Sequence, residues 1–430
     1  MKSRRNFIKK VAAVTGTAGL ASLSLQAKAN SLAEALNELS VLPPEEAQSE
    51  EELWHRIQQA YTVNPNLINL NNGGVSPQPK VVQDAVDRYY HLSNETPSYY
   101  MWRIIDKDRE PLRKKLGALA GVDEETLAIN RNTTEALGTV IFGLNLEKGD
   151  EVVLCHFDYP NMMNAWKQRE MRDGIQLKWI TLDLPIEDED TIVKKYVEQF
   201  TNKTKVVHIT HLINWTGQVV PAQKICAEAK KRGILTIVDG AHSFAHLNYK
   251  ISDFDCDYFG TSLHKWLCAP FGTGLLYVRK ERIADLWPLF PSDDPKTDDI
   301  RKFENLGTRS FANEMAVSHA IDFHNVIGAE RKEARLKYLK DYWVNQVKDH
   351  PKIKINTPVE GPLYGALCNV SIDGMEAAEI DQNLMRNYRI HTVGIVWQHI
   401  DGVRVTPNVY TKLRDLDLLA EALLKMANQA

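Results

Sequence analysis

The chain has 430 residues, 43% of them apolar and 25% charged, with a net charge of −4. Its length supports two domains with large cores, and its balance of charge excludes a basic nucleic-acid-binding surface or a low-complexity chain. The five cysteines, Cys155, Cys226, Cys256, Cys268 and Cys368, are odd in number and lack metal-ligand spacing, so they read as scattered core residues with a single bridge left open.

Residues 1–29 read as a targeting segment. Ser3-Arg4-Arg5-Asn6-Phe7-Ile8-Lys9 is a twin-arginine motif, a weak apolar stretch follows from Val11 to Leu25, and Ala27-Lys28-Ala29 is a small-x-small cleavage site. The stretch is too short and weak for an anchor. The six Lys and Arg it carries leave with it, which takes the chain to about −10 and argues against an anionic membrane surface. The expected location is the periplasm. Because this route exports folded proteins, a cofactor loaded in the cytoplasm is expected too.

Residues 30 to about 60 have a helical, Leu-rich period. Ile68 to Gly74 reads as a short strand entering a turn, and Pro79 to Leu92 as an amphipathic helix. Leu127 to Ile129 is a brief strand, after which Asn132-Thr133-Thr134-Glu135 opens a helix. Strands at Glu151–Cys155, Leu177–Ile180, Thr204–Thr210 and Ile234–Val238 then alternate with helices, the pattern of a mostly parallel sheet covered on both faces. After about residue 310 two long helices precede short strands near Ile353, Cys368, His391 and Val403. The expected division is an N-terminal segment over 30–75 folding back on the small domain, a large domain over 76–309, and a smaller α+β domain over 310–430.

In such sheets ligands gather at the carboxyl ends of the strands. The strand ending at Val238 runs into Asp239-Gly240-Ala241-His242, where the acid is either a helix cap or a functional carboxylate. Lys265 follows the strand-like Tyr258 to Ser262 and precedes Gly272 and Gly274, in a segment that otherwise reads as core. A buried lysine calls for a partner, neutralisation or covalent use. A lysine, an acid and a Thr-rich helix start suit pyridoxal phosphate, whose aldehyde, ring nitrogen and phosphate require them respectively.

The runs His208-Ile-Thr-His211-Leu-Ile-Asn214-Trp-Thr-Gly217, Ile237-Val-Asp239-Gly-Ala-His242, Ser262-Leu-His264-Lys265-Trp and Gly272-Thr-Gly274 resemble the class V aminotransferase family of fold-type I pyridoxal-phosphate enzymes. Weaker similarity extends from Asn69 to about residue 410. The resemblance implies that Lys265 forms the Schiff base and later serves as general base, that Asp239 partners the ring nitrogen, and that His242 and Asn214 lie near the ring hydroxyl. It implies phosphate contacts at Thr133, Thr134, Ser262 and His264, with Tyr159 stacked on the ring where the family usually has histidine. Gly307 and Thr308 resemble the turn reaching the neighbouring subunit's phosphate, which implies a homodimer. Arg404 matches the arginine that grips a substrate carboxylate, and Asn72 is expected beside the substrate.

The opening strand resembles the isopenicillin N epimerase-like branch. Residues 388–400, where a desulfurase carries its reactive cysteine, contain none, and Cys368 falls in a strand. The expected activity is epimerase or aminotransferase chemistry at the α-carbon of an amino acid or peptidyl amine, in siderophore or secondary-metabolite tailoring. Alternatives are a C–S or C–C lyase without a persulfide cysteine and a non-catalytic binding protein of the same fold. No metal is expected; the five histidines His208, His211, His242, His246 and His264 are better read as cofactor neighbours or core.

Overall fold

The computed structural model describes residues 30–430; the expected export signal, residues 1–29, lies outside them. In chain order β1 (Ile68–Asn69) precedes β2 (Leu127–Asn130), β3 (Glu151–Cys155), β4 (Gln176–Ile180), β5 (Thr204–Thr210), β6 (Leu235–Asp239), β7 (Tyr258–Ser262) and β8 (Gly274–Val278). Strands β2 to β8 form a seven-stranded sheet in the order β2-β8-β7-β6-β5-β3-β4. Only β8 runs against its neighbours. Successive strand residues alternate between two cores: Val153, Val207, Val238 and Phe259 face one layer of helices, and Val152, Val206, Ile237 and Tyr258 the other. Burial on both faces explains why these strands are continuous apolar runs.

The remaining strands are β9 (Ile353–Ile355), β10 (Cys368–Ile372), β11 (Ile390–His391), β12 (Val393–Trp397) and β13 (Ile400–Val405). Four of them form an antiparallel sheet, β12-β13-β10-β9. β12 and β13 make a hairpin that the apolar pattern around His391 did not separate. β1 pairs in parallel with β11, Ile68 opposite Ile390. The residues before it join a separate core in which Trp54 and Ile57 meet Trp266, Leu336, Ala366 and Val409. The N-terminal segment therefore contacts both domains.

One expected boundary moves. The helix Phe311–Ile327, expected to open the small domain, packs into the large one: Phe311, Met315, Val317, Ala320 and Ile321 share a core with Val82, Ala85 and Leu112. The chain turns at Gly328, which has φ 89°, and the small-domain helix Ala329–Val347 follows. Apolar periodicity shows that a helix has a buried face but not which core receives it.

A buried ionic cluster fixes this helical layer to the edge of the large sheet. Fully buried Arg113 donates to Glu304 Oε1 at 2.5 Å and to Leu127 O at 2.6 Å. Arg109 pairs with Glu304 at 2.8 Å and Glu314 at 3.0 Å, and Glu304 also accepts the Ile129 amide at 2.6 Å. Glu304→Ala leaves two buried guanidinium groups short of a partner and is expected to cost about 3–5 kcal/mol, read as a lower denaturation midpoint with an unchanged slope.

Candidate active site

The carboxyl ends of β5, β6 and β7 and the N-terminus of the helix Thr133–Gly143 surround a cavity of about 330 Å³. Lys265, Asp239, His242, Asn214, Thr133, Thr134, Tyr159, Ser262, His264 and Arg404 all line it. Thr133 and Arg404, 271 positions apart in the chain, thus meet at one place. The crossover connections bring successive strand ends to the same edge.

Lys265 Nζ lies 3.0 Å from His242 Nε2. Burial pushes its ammonium down to about 8; the Asp239 carboxylate opposes this and the Arg404 charge adds to it. Asp239 is pushed up to about 6 by burial, against the Ala241 amide and Lys265, which favour its charge. Its Oδ1 accepts Ala241 N–H at 2.9 Å. His242 is held well below the usual imidazole range, first by burial and then by Lys265 and Arg404, so it is a neutral ring.

The helix start at Thr133 is tied to β7: Ser262 Oγ accepts the Thr133 amide at 3.0 Å and bonds its hydroxyl at 2.8 Å. Asn132 caps the helix through Glu135 N–H at 2.9 Å. A Cβ on Gly274 would stand 2.6 Å from the Asn132 backbone, so the residue that lets β8 pass this turn must be glycine. His264 Nδ1 bonds Thr273 O at 3.0 Å, which turns the ring into the cavity wall. Tyr159 is 41% exposed at the mouth.

Arg404, on β13, crosses from the small domain. Its Nη1 donates to Asn214 O and its Nη2 to Asn71 Oδ1, each at 3.0 Å, and its Nε has no partner. Only 8% of the residue is exposed, and burial pulls the guanidinium down to about 10. Among the described residues no carboxylate lies within ion-pair distance of it. The sequence alone would have allowed a surface salt bridge; the structure shows a buried cation open to an anionic ligand.

One expected contact lies elsewhere, and the pair expected to serve a neighbouring subunit lies outside this cavity. Asn72 is fully buried and spends its side chain on the scaffold: Nδ2 donates to Thr406 O at 2.8 Å and Oδ1 accepts from Tyr410 at 2.6 Å. Asn71, its neighbour, is the one that reaches Arg404, and the run of asparagines alone does not reveal which of them faces inward. Gly307 and Thr308 are remote from this cavity and line a surface cleft with Trp102, Arg301 and Arg309. Contacts not foreseen include Gly73 and Gly74 and Asp158, whose Oδ1 accepts from Thr210, a cavity residue, at 2.7 Å and whose Oδ2 accepts the Cys155 amide at 2.7 Å. Asp158 braces the turn that presents Tyr159. His208 and His211 are core residues, held neutral by burial.

The cavity's donors and acceptors fit pyridoxal phosphate. Asn214 Oδ1 and His242 Nδ1 are buried without a protein partner, as groups waiting on a ring oxygen would be. A lysine, a carboxylate and a helix N-terminus with hydroxyls stand on the same cavity.

Residues 68–394 match the family Aminotransferase class-V. The chain is 29% identical over 388 residues to isopenicillin N epimerase of Streptomyces clavuligerus, which covers 86% of this chain and 97% of the relative. It is 28% identical over 343 residues to a probable cysteine desulfurase of Halobacterium salinarum, covering 76% of this chain and 81% of that one. Among solved structures, a cysteine desulfurase from Thermococcus onnurineus superposes with a TM-score of 0.77 at 20% identity, over 87% of this chain and 98% of that chain. The cystine C-S lyase C-DES does so with a TM-score of 0.75 at 22% identity, over 84% and 97%. At these identities the structural likeness speaks for the fold alone. The family match, which spans the large domain and most of the small one, makes this chain a member of the class V aminotransferases, pyridoxal-phosphate-dependent enzymes of fold type I.

Proposed function

We propose that the protein is a periplasmic enzyme, exported folded by the twin-arginine route, that acts at the α-carbon of an amino acid or peptidyl amine as an epimerase or aminotransferase-like catalyst in siderophore or secondary-metabolite tailoring. The observation that carries the α-carbon reading is the unpaired, buried Arg404 on the same cavity as Lys265. A substrate carboxylate on the guanidinium fork would orient the α-carbon toward the lysine. Bound pyridoxal phosphate supplies the electron sink that makes the α-proton acidic. Lys265 Nζ, with its affinity for protons reduced by burial, would take that proton from one face of the α-carbon, and return of a proton to the opposite face would complete an epimerisation. Asp239 holds a proton at the ring nitrogen, and neutral His242 steadies Lys265 Nζ.

The epimerase-like branch is supported by the relative from Streptomyces clavuligerus and by the β12–β13 hairpin, which carries no cysteine. Cys368 on β10 is fully buried, and burial pushes its thiol up to about 11, unlike a persulfide-forming nucleophile. We propose a homodimer as the active unit, because Gly307 and Thr308 resemble the family's turn toward a neighbouring subunit's phosphate and both line a surface cleft.

The loaded enzyme is expected to exchange the α-proton of its substrates for deuterium in D2O, followed by NMR, and Lys265→Ala to abolish both this exchange and the lysine-linked absorbance. Exchange with the side chain retained supports the proposal; release of the side chain instead would establish the lyase reading. Arg404→Lys loses bidentate carboxylate binding and is expected to raise KM by roughly 10- to 100-fold, since a charged hydrogen bond contributes about 1.5–3 kcal/mol. Capture of pyridoxal phosphate by the apoprotein requires the neutral amine of Lys265. Its rate, followed by stopped-flow absorbance, is expected to rise with pH through a midpoint near 8, where a free lysine in solution would show about 10.4.

A further inference from the structure

His246 has no place in the chemistry, yet it ties the turn that carries His242 to the small-domain chain at Ala366. It lies four residues beyond His242 and is 1% exposed. Its Nδ1 bonds the carbonyl of His242 at 2.8 Å, so this nitrogen carries the proton. Its Nε2 then accepts, and the amide of Ala366 donates to it at 2.8 Å. Burial holds the ring neutral, at about 3, which preserves this donor–acceptor polarity at any physiological pH. The ring stacks on Trp266, the residue after Lys265, with centroids 3.7 Å apart. A Cβ on Gly365 would stand 2.6 Å from Nε2, so glycine at 365 is what lets the two chains meet.

The contacts extend in both directions. Ala366 leads into β10, where Asn369 stands opposite Arg404 of β13. On the other side His242 reaches Lys265 Nζ at 3.0 Å. An unbroken series of contacts therefore runs from the carboxylate-binding arginine on one domain to the lysine on the other.

We propose that His246 is a positioning residue that sets His242 and Lys265 according to the placement of the small-domain strands holding Arg404, so that occupation of Arg404 is registered at the lysine. This rests on the active-site assignment above. Two near-isosteric variants separate its bonds: His246→Asn keeps a donor for His242 O and loses the acceptor for Ala366, and His246→Gln does the reverse. In the full-length enzyme loaded with pyridoxal phosphate, both variants are expected to retain bound cofactor and a melting temperature close to wild type. Asn is expected to keep the wild-type pH midpoint of cofactor capture by the apoprotein while raising KM. Gln is expected to shift that midpoint and lower kcat about tenfold, a typical size of coupling between neighbouring groups. A change in melting temperature alone, with midpoint, KM and kcat as in wild type, overturns the proposal. If either variant fails to fold, wild-type amide exchange decides: protection at Ala366 is expected to rise when cofactor binds, and unchanged protection overturns the relay. Absence of cofactor binding in the wild type would instead refute the site assignment.

Discussion

Two cations share one buried cavity: Lys265, whose charge is supported by the Asp239 carboxylate alone, and Arg404, which has no carboxylate within ion-pair distance among the described residues. Lys265 and Arg404 are both drawn below their usual proton affinities by burial, and the Arg404 charge lowers that of Lys265 further. Burying such groups is costly unless a ligand or a covalent bond compensates. A sheet that gathers strand ends, a helix N-terminus aimed inward and a second domain delivering an arginine together produce a site whose electrostatics suit an anionic cofactor. The cost is offset by the rest of the fold, which has extensive apolar cores.

The same constraint explains the close approaches around the site. The turn at Asn214 reaches Arg404 with its backbone carbonyl, and three residues later Gly217 adopts φ 82°, with Leu367 O where a Cβ would be. Gly274 and Gly365 serve comparable approaches at the helix start and at His246. Glycine is used where two backbones, or a backbone and a ring, must meet closely to set a polar atom in the cavity. The N-terminal segment adds to this rigidity. Its core includes Trp266, directly after Lys265, and Ala366, two residues before β10, so a segment remote from the chemistry supports the lysine and the small domain together.

The hairpin of β12 and β13 carries no cysteine. Its tip is anchored through aromatic contacts: Trp397 stacks on Trp215 at 4.8 Å and donates to His156 O at 2.7 Å. Trp215 follows Asn214 in the chain, and His156 lies three residues before Tyr159. A loop that must carry a persulfide needs freedom to move, whereas this hairpin is fixed to both sides of the cavity. Such fixation holds the cavity wall near Asn214 and Tyr159 in place.

Much of this was legible in the sequence. The alternation of apolar runs and amphipathic helices identified the parallel sheet, and the positions of Asp239 and Lys265 after apolar strands identified the catalytic edge, because strand ends in such folds are set by chain order and handedness. Composition and motif also singled out Ser262, His264, Thr133 and Asn214. The tertiary structure alone decided that Asn71 and not Asn72 meets Arg404, that the helix Phe311–Ile327 joins the large domain, and that His246 links the two domains. The reason is physical: local periodicity records that a side chain is buried or polar, but partner, orientation and charge state depend on what other parts of the chain bring to within a few ångströms of it.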